Sequence, residues 1–130
     1  MFGDKSIFGQ NELTIDSKGR IFIPANTQRE QGEELVMLYN GNLNAYEVYS
    51  VKKLEERFEE INNLIINATS KKDKLYYQKF LCELSKSILR KEKIDSQGRF
   101  LTGKIFEGYE KVLSTGAYDH LIIEPIKNKK

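Results

Sequence analysis

The sequence predicts an α+β fold, mainly β, in which two copies of one half-barrel flank an α-helical hairpin. Three observations carry that prediction. A six-residue unit occurs twice, as Ile15-Asp16-Ser17-Lys18-Gly19-Arg20 and as Ile94-Asp95-Ser96-Gln97-Gly98-Arg99, differing at one position. Each copy runs into an apolar, strand-like stretch, Ile21-Phe22-Ile23 in the first and Phe100-Leu101-Thr102 in the second, so the repeat brings its flanking pattern with it. Between the copies lie two stretches with helical periodicity. The chain divides accordingly into residues 1–50, a first half; 51–92, the hairpin; 93–126, a second half; and 127–130, a polar tail. At 130 residues in all, each half falls near the size where burial alone barely supports folding. The halves are therefore expected to fold against each other or against another chain.

In each repeat, apolar residues on both sides of Asp-Ser-x-Gly describe a β-hairpin turn. Asp16 and Asp95 can accept from the backbone two residues on, as in an Asx-turn. Gly19 and Gly98 supply the positive φ that closes the turn. Arg20 and Arg99 then stand just past it, at the exposed end of a hairpin. A short helical segment is predicted near residues 26–31, because Pro24 suits a first helical turn, with a counterpart at 105–113. The second strand of each half is placed at 44–49 and 120–125.

The hairpin is read from side-chain spacing. Val51, Leu54, Phe58, Ile61 and Leu64 or Ile65 recur at three and four residues, with Ser50 as N-cap. Asn62 through Ser70 is rich in turn formers, and Ser70 with Asp73 resembles a capping-box start. The second helix carries Tyr77, Phe80, Leu81, Leu84 and Ile88 on one face and is expected to run to about Arg90. Cys82 is expected to pack as a thiol between Leu81 and Leu84. Tyr118 and 121–123 form the last strand, stopped by Pro125, and the basic tail from Lys127 to Lys130 is expected to fray.

Composition limits the classes available. With 39% hydrophobic and 31% charged residues, the chain reads as a soluble globular protein. No apolar run approaches spanning length, and residues 1–10 lack the pattern of a secretion signal. A single cysteine excludes an internal disulfide framework and suits a reducing compartment, so a cytoplasmic location is expected. The net charge of +2 is unevenly spread. Residues 71–93 carry eight Lys or Arg against three acids, whereas 33–49 carry three acids and no base. One histidine, His120, beside Asp119, offers neither a metal cluster nor a nucleophile with its base. An enzyme, a cofactor and a metal are therefore not expected. Asp16 and Asp95 as a metal-sharing nuclease pair are set aside, because each has a sufficient role in its turn.

The two turns, with the strands and loops after them, resemble the MraZ family. The likeness runs from Asp16 through Ile21-Phe22-Ile23-Pro24 to Arg29, then through Gly32-Glu33-Glu34-Leu35-Val36 to Tyr46-Glu47-Val48-Tyr49. It returns at Asp95-Ser96-Gln97-Gly98-Arg99 and near 112–124, and the opening Met1-Phe2 fits as well. The resemblance implies two AbrB/SpoVT-like swapped-hairpin half-barrels packed as an intramolecular pseudo-dimer. It also implies a sequence-specific transcriptional regulator acting near cell-division and cell-wall genes, assembled into a homo-oligomeric ring on double-stranded DNA. Carried over by position, Asp16 and Arg20 form an element linked with DNA binding, mirrored by Asp95 and Arg99.

The chemistry of those residues suits that role. Arginine presents a planar fork of donors matching guanine edges or phosphate oxygens. Lys18 is better suited to neutralising phosphate, and Lys5 and Arg29 are further basic candidates in the first half. Gln97 in place of Lys18 makes the second tip less basic, so the first half ranks as the main reader. The basic stretch 71–93 competes as a contact surface, although a solvated face pairing with Glu55, Glu56, Glu59 and Glu60 explains its charges as well. Two other classes remain. An AbrB-type antitoxin would need a toxin-binding tail after Pro125, and a scaffold would leave Lys18 and Arg20 replaceable.

Overall fold

The computed structural model describes residues 1–128. Of the expected tail, Lys129 and Lys130 lie outside the described residues, while Lys127 and Asn128 belong to the final strand. Strand β1 (Gln10–Thr14) leads through the first repeat to β2 (Arg20–Phe22), and β3 (Glu34–Asn40) turns back into β4 (Ala45–Ser50). Two helices come next, α1 (Val51–Asn67) and α2 (Lys71–Lys86). The second half then runs β5 (Ile88–Lys93), β6 (Arg99–Leu101), β7 (Tyr109–Gly116) and β8 (Leu121–Asn128). The fold is α+β and mainly β, as its alternating patterns predict.

The strands form a six-stranded sheet in the order β1-β7-β8-β4-β3-β5 and a two-stranded ribbon of β2 with β6. Exchanging the halves (β1 for β5, β3 for β7, β4 for β8) reverses the sheet order onto itself. The fold therefore has an internal pseudo-twofold between β4 and β8. Both outer strands and the central pair cross between halves: β1 pairs with β7, β5 with β3, and β4 with β8, all antiparallel. This interlocking corrects one expectation. The repeats do not close two-stranded hairpins, because β1 and β2 each take their ladder from the other half. Local pattern reports that a turn exists but not which strand satisfies the edges it leaves.

One core results. Ile15, Ile21, Ile23, Leu35, Met37 and Val48 of the first half pack with Ile94, Phe100, Phe106, Val112, Leu121 and Ile123 of the second. Neither half could enclose this set alone. Strand β3 has apolar side chains on both faces, since successive residues point to opposite sides. Leu35 and Met37 enter the main core, while Val36 and Leu38 turn outward and meet Tyr49 and Leu54 beneath the helices. The helical hairpin covers that outer face.

Both helix starts fall where the polar residues predict. Ser50 Oγ accepts from Lys53 N at 3.1 Å and Ser70 Oγ from Asp73 N at 3.1 Å. The end of α2 comes earlier than expected, at Lys86 instead of near Arg90. Ser87 closes it, its hydroxyl donating to Leu84 O at 2.6 Å, and its own carbonyl accepts from Tyr39 N of β3. From Ile88 the burial alternates with the period of a strand, because β3 needs a partner on that edge. No residue of α2 is fully buried, and Cys82 is exposed, so the expected packed thiol is overturned.

The expected short helices are also reduced. Only a single 3-10 turn, Ala25–Thr27, comes after Pro24, and residues 103–108 are turns that pass into β7 at Tyr109. The apolar spacing of 105–113 is met by a strand with Val112 facing inward. Strand β8 does not stop at Pro125, which pairs opposite Val112 at a register shift. Pairing with β4 ends at Ile123, so the missing N–H of Pro125 meets no strand on that side. Tyr118 lies outside the strand, in an isolated bridge to Ile7, with φ +74°.

Candidate nucleic-acid interface

The two repeat turns have the same construction. Asp16 Oδ1 accepts from Lys18 N and Arg20 N at 2.9 Å each, and Oδ2 accepts from Arg20 Nε at 2.7 Å. Asp95 repeats this with Gln97 N, Arg99 N and Arg99 Nε at the same three distances. Each aspartate thus closes its turn and fixes the arginine at once. The arginine amide, then the arginine side chain and the amide two residues on, hold both carboxyls below the usual 3.8, because each bond is made to the charged form. Tying Nε leaves the two Nη groups of each guanidinium outside that bond.

Pairing of β2 with β6 links the two turns through a short antiparallel ribbon. Arg20 stands opposite Leu101, and Phe22 opposite Arg99. The turns are also stitched crosswise: Thr102 N donates to Gly19 O at 2.7 Å, and Ile23 N donates to Gly98 O at 2.9 Å. Arg99 Nη1 lies 3.9 Å from Asp16 Oδ2, so the first aspartate faces both arginines. The two like turns thus enter one antiparallel ribbon from its opposite ends, with Lys18 and Gln97 exposed at their tips. The arginines are part-covered, at 25% and 21% side-chain exposure, less open than a free hairpin end would leave them.

Both glycines are required where they stand. Gly19 has φ +78°, and a Cβ there would lie 2.2 Å from Gly103 O. Gly98 has φ +80°, and a Cβ there would lie 2.4 Å from Cζ of Arg29. Arg29, a first-half residue, therefore lies against the second turn, with its Nε donating to Ile23 O.

The first of these turns lies within a stretch that matches a known family. A family model described as "MraZ protein, putative antitoxin-like" matches residues 7–75, more than half of the chain. The chain belongs to the MraZ family. A protein of Caldanaerobacter subterraneus subsp. tengcongensis named "Transcriptional regulator MraZ" is 36% identical over 101 residues, covering 73% of this chain and 61% of the relative. A protein of Thermoanaerobacter sp. with the same name gives the same identity and coverage. The chain thus spans about three fifths of the length of these MraZ relatives.

Of the remaining basic candidates of this MraZ chain, Arg90 lies nearest the turns, its guanidinium against Gly103. Lys5 is exposed on the N-terminal turn, whose Gly3 N donates to Thr27 O and whose Phe2 N donates to Glu33. Among the described residues, the lysines of α2 make no ion pair with the glutamates of α1. Arg90, Lys91 and Lys93 lie on β5, so the basic stretch is divided between a helix and a sheet edge. Among the described residues, no three His, Cys, Asp or Glu side chains gather as a metal site, and no helix is long and apolar enough to cross a membrane.

Reading the sequence missed a second polar cluster, at the seam between halves. His120 is 7% exposed. Its Nε2 lies 2.9 Å from Glu47 Oε2 and its Nδ1 2.8 Å from Asp119 Oδ1. Its ring stacks on Tyr49 at 4.3 Å, and the Arg57 guanidinium lies over the same tyrosine at 5.1 Å while reaching Asp119 at 3.6 Å. Burial pushes the Glu47 carboxyl up, but bonds from His120, Asn40 and Tyr49 more than offset this and hold it below its ordinary range. Burial pushes the Tyr49 hydroxyl up. The cluster ties β4, α1 and the start of β8 together. The adjacency of Asp119 and His120 was its one visible sign.

Proposed function

We propose that this chain is a sequence-specific DNA-binding transcriptional regulator of the MraZ type, acting in the cytoplasm on double-stranded DNA. One observation carries the reading: β2–β6 pairing joins two Asp-x-x-Gly-Arg turns through one short antiparallel ribbon, each with its arginine fork oriented by an aspartate. Orienting a guanidinium in advance lowers the ordering cost of a bidentate contact to a base edge or phosphate. Lys18 adds a mobile charge for the phosphate backbone. The names of the two relatives support the regulatory role, and cell-division or cell-wall genes are the targets the family likeness suggests.

One chain offers few charges at these turns, so several copies on repeated sites would raise affinity by making later contacts intramolecular. A ring of copies is the form we propose. Support comes from apolar side chains left uncovered on the hairpin, among them Ile66, Leu75, Tyr76 and Phe80.

The test is a titration of the purified chain with a duplex carrying direct repeats from its own upstream region, beside an unrelated duplex, at two salt concentrations. Binding should prefer the repeats and weaken with salt. Lys18→Ala should lower affinity and reduce the salt slope by about one, and Arg20→Ala should abolish the preference. Equal weak binding to both duplexes, unchanged by either substitution, would return the scaffold reading to the front.

A further inference from the structure

We propose that Gln97 is a specificity-determining residue, reading an adenine at one half-site while Lys18 serves the other, so that the chain lies on DNA in one orientation. This rests on the DNA-binding reading above and deepens it.

The two turns are closely alike. Their aspartate bonds agree atom for atom, at 2.9, 2.9 and 2.7 Å in each. Gly19 and Gly98 have φ within a few degrees of each other, and each carbonyl accepts from the opposite strand. Two equivalent positions at the tips therefore project from equivalent backbones. Within the repeated unit one position differs, Lys18 against Gln97. Both are exposed. In both turns it is the backbone N–H of this residue that the aspartate uses, which leaves the side chain free of any part in the fold. The difference has no structural work to do, so its consequence falls on whatever the tips meet.

The chemistry of the two side chains is not equivalent. Lysine offers three donors and a point charge, with no acceptor. It suits phosphate or the acceptor pair of guanine. Glutamine offers a donor and an acceptor on one planar amide, the complement of adenine N7 and N6–H in the major groove. Exchanging lysine for glutamine would cost the second tip its phosphate anchor. Arg29 stands in for it: its guanidinium lies against Gly98, the residue next to Gln97. The corresponding place beside Gly19 holds the Gly103 carbonyl, and the Arg90 guanidinium beyond it is already paired with Glu92 at 2.6 Å. Positive charge from the first half thus backs the uncharged tip of the second, leaving Gln97 free to read a base.

A duplex selected from a random pool by the full-length wild type supplies the probe. The expected site is unsymmetrical, with an A·T pair at one half-site position whose replacement by G·C weakens binding roughly tenfold. Gln97→Lys should erase that discrimination while keeping affinity for the rest of the site, and should make the selected site more nearly palindromic. Gln97→Ala should erase it as well, with affinity lowered. Lys18→Gln should instead add an A·T preference to the other half-site. If Gln97→Lys and Gln97→Ala both select the wild-type sequence, the inference is overturned while sequence-specific DNA binding by the chain stands. If the wild type selects no sequence at all, both readings fall together.

Discussion

Asp16 and Asp95 show how much a single side chain can hold. Each carboxylate satisfies two amides and one guanidinium, so protonation would release the turn and its arginine together. Because the folded-state value is depressed, their contribution is fully present above the ordinary 3.8 and is lost as pH falls through the lower folded value. Carboxyl chemical-shift titration should therefore place both midpoints below 3.8, and DNA binding should not change through these groups between about pH 5 and 7. The glycines give a graded prediction. Gly19→Ala meets positive φ and a backbone carbonyl, and should cost at least about 2 kcal/mol in urea unfolding. Gly98→Ala meets the same kind of φ but only the end of the Arg29 side chain, and should cost about 1–2 kcal/mol. Equal losses would show that the carbonyl contact is relieved. These roles were legible beforehand, because an Asx-turn and a positive φ are set within four or five residues. The position of Arg29 was not, since nothing near residue 29 announces Gly98.

Among the elements, α1 and α2 differ in how firmly they are held. Leu54 and Ile61 of α1 are buried, whereas α2 buries nothing fully. The cap of α1 is itself buried, with Ser50 at 2% exposure. Ser50→Ala should therefore cost about 1 kcal/mol of global stability. Ser70→Ala should mostly fray α2, seen as faster amide exchange in its first turn with little change in the unfolding midpoint. Helix starts could be read because serine caps act locally. The end of α2 could not, because Leu84 and Ile88 keep a helical spacing across a boundary that β3 imposes. The same physics placed a helix over 105–113. A segment with apolar residues at both periods takes the form its neighbours require, and here the neighbours were β1 and β8.

At the scale of the whole molecule, the halves are complementary to each other and hence nearly self-complementary. Residues 1–50 alone should not fold as a monomer, since β1 and β4 would each lose a neighbouring strand. At high concentration two copies should pair as the halves do, and light scattering with amide spectra would detect this; a folded monomer would contradict the interlocked topology. The repeat made a two-part architecture legible, but the crossing of strands between parts rests on pairing that no local pattern encodes. The palindromic strand order also governs time. Gln10 waits for Thr115, and Tyr46 for Ile123, so during synthesis the first half leaves the ribosome with its edges open until the last strands exist. Contacts so distant along the chain close slowly, and the helical hairpin, whose contacts are local, can form first. A newly made first half that meets another nascent copy before its own second half finds there the same edges it awaits, so crowded translation on one message favours exchange of halves between chains.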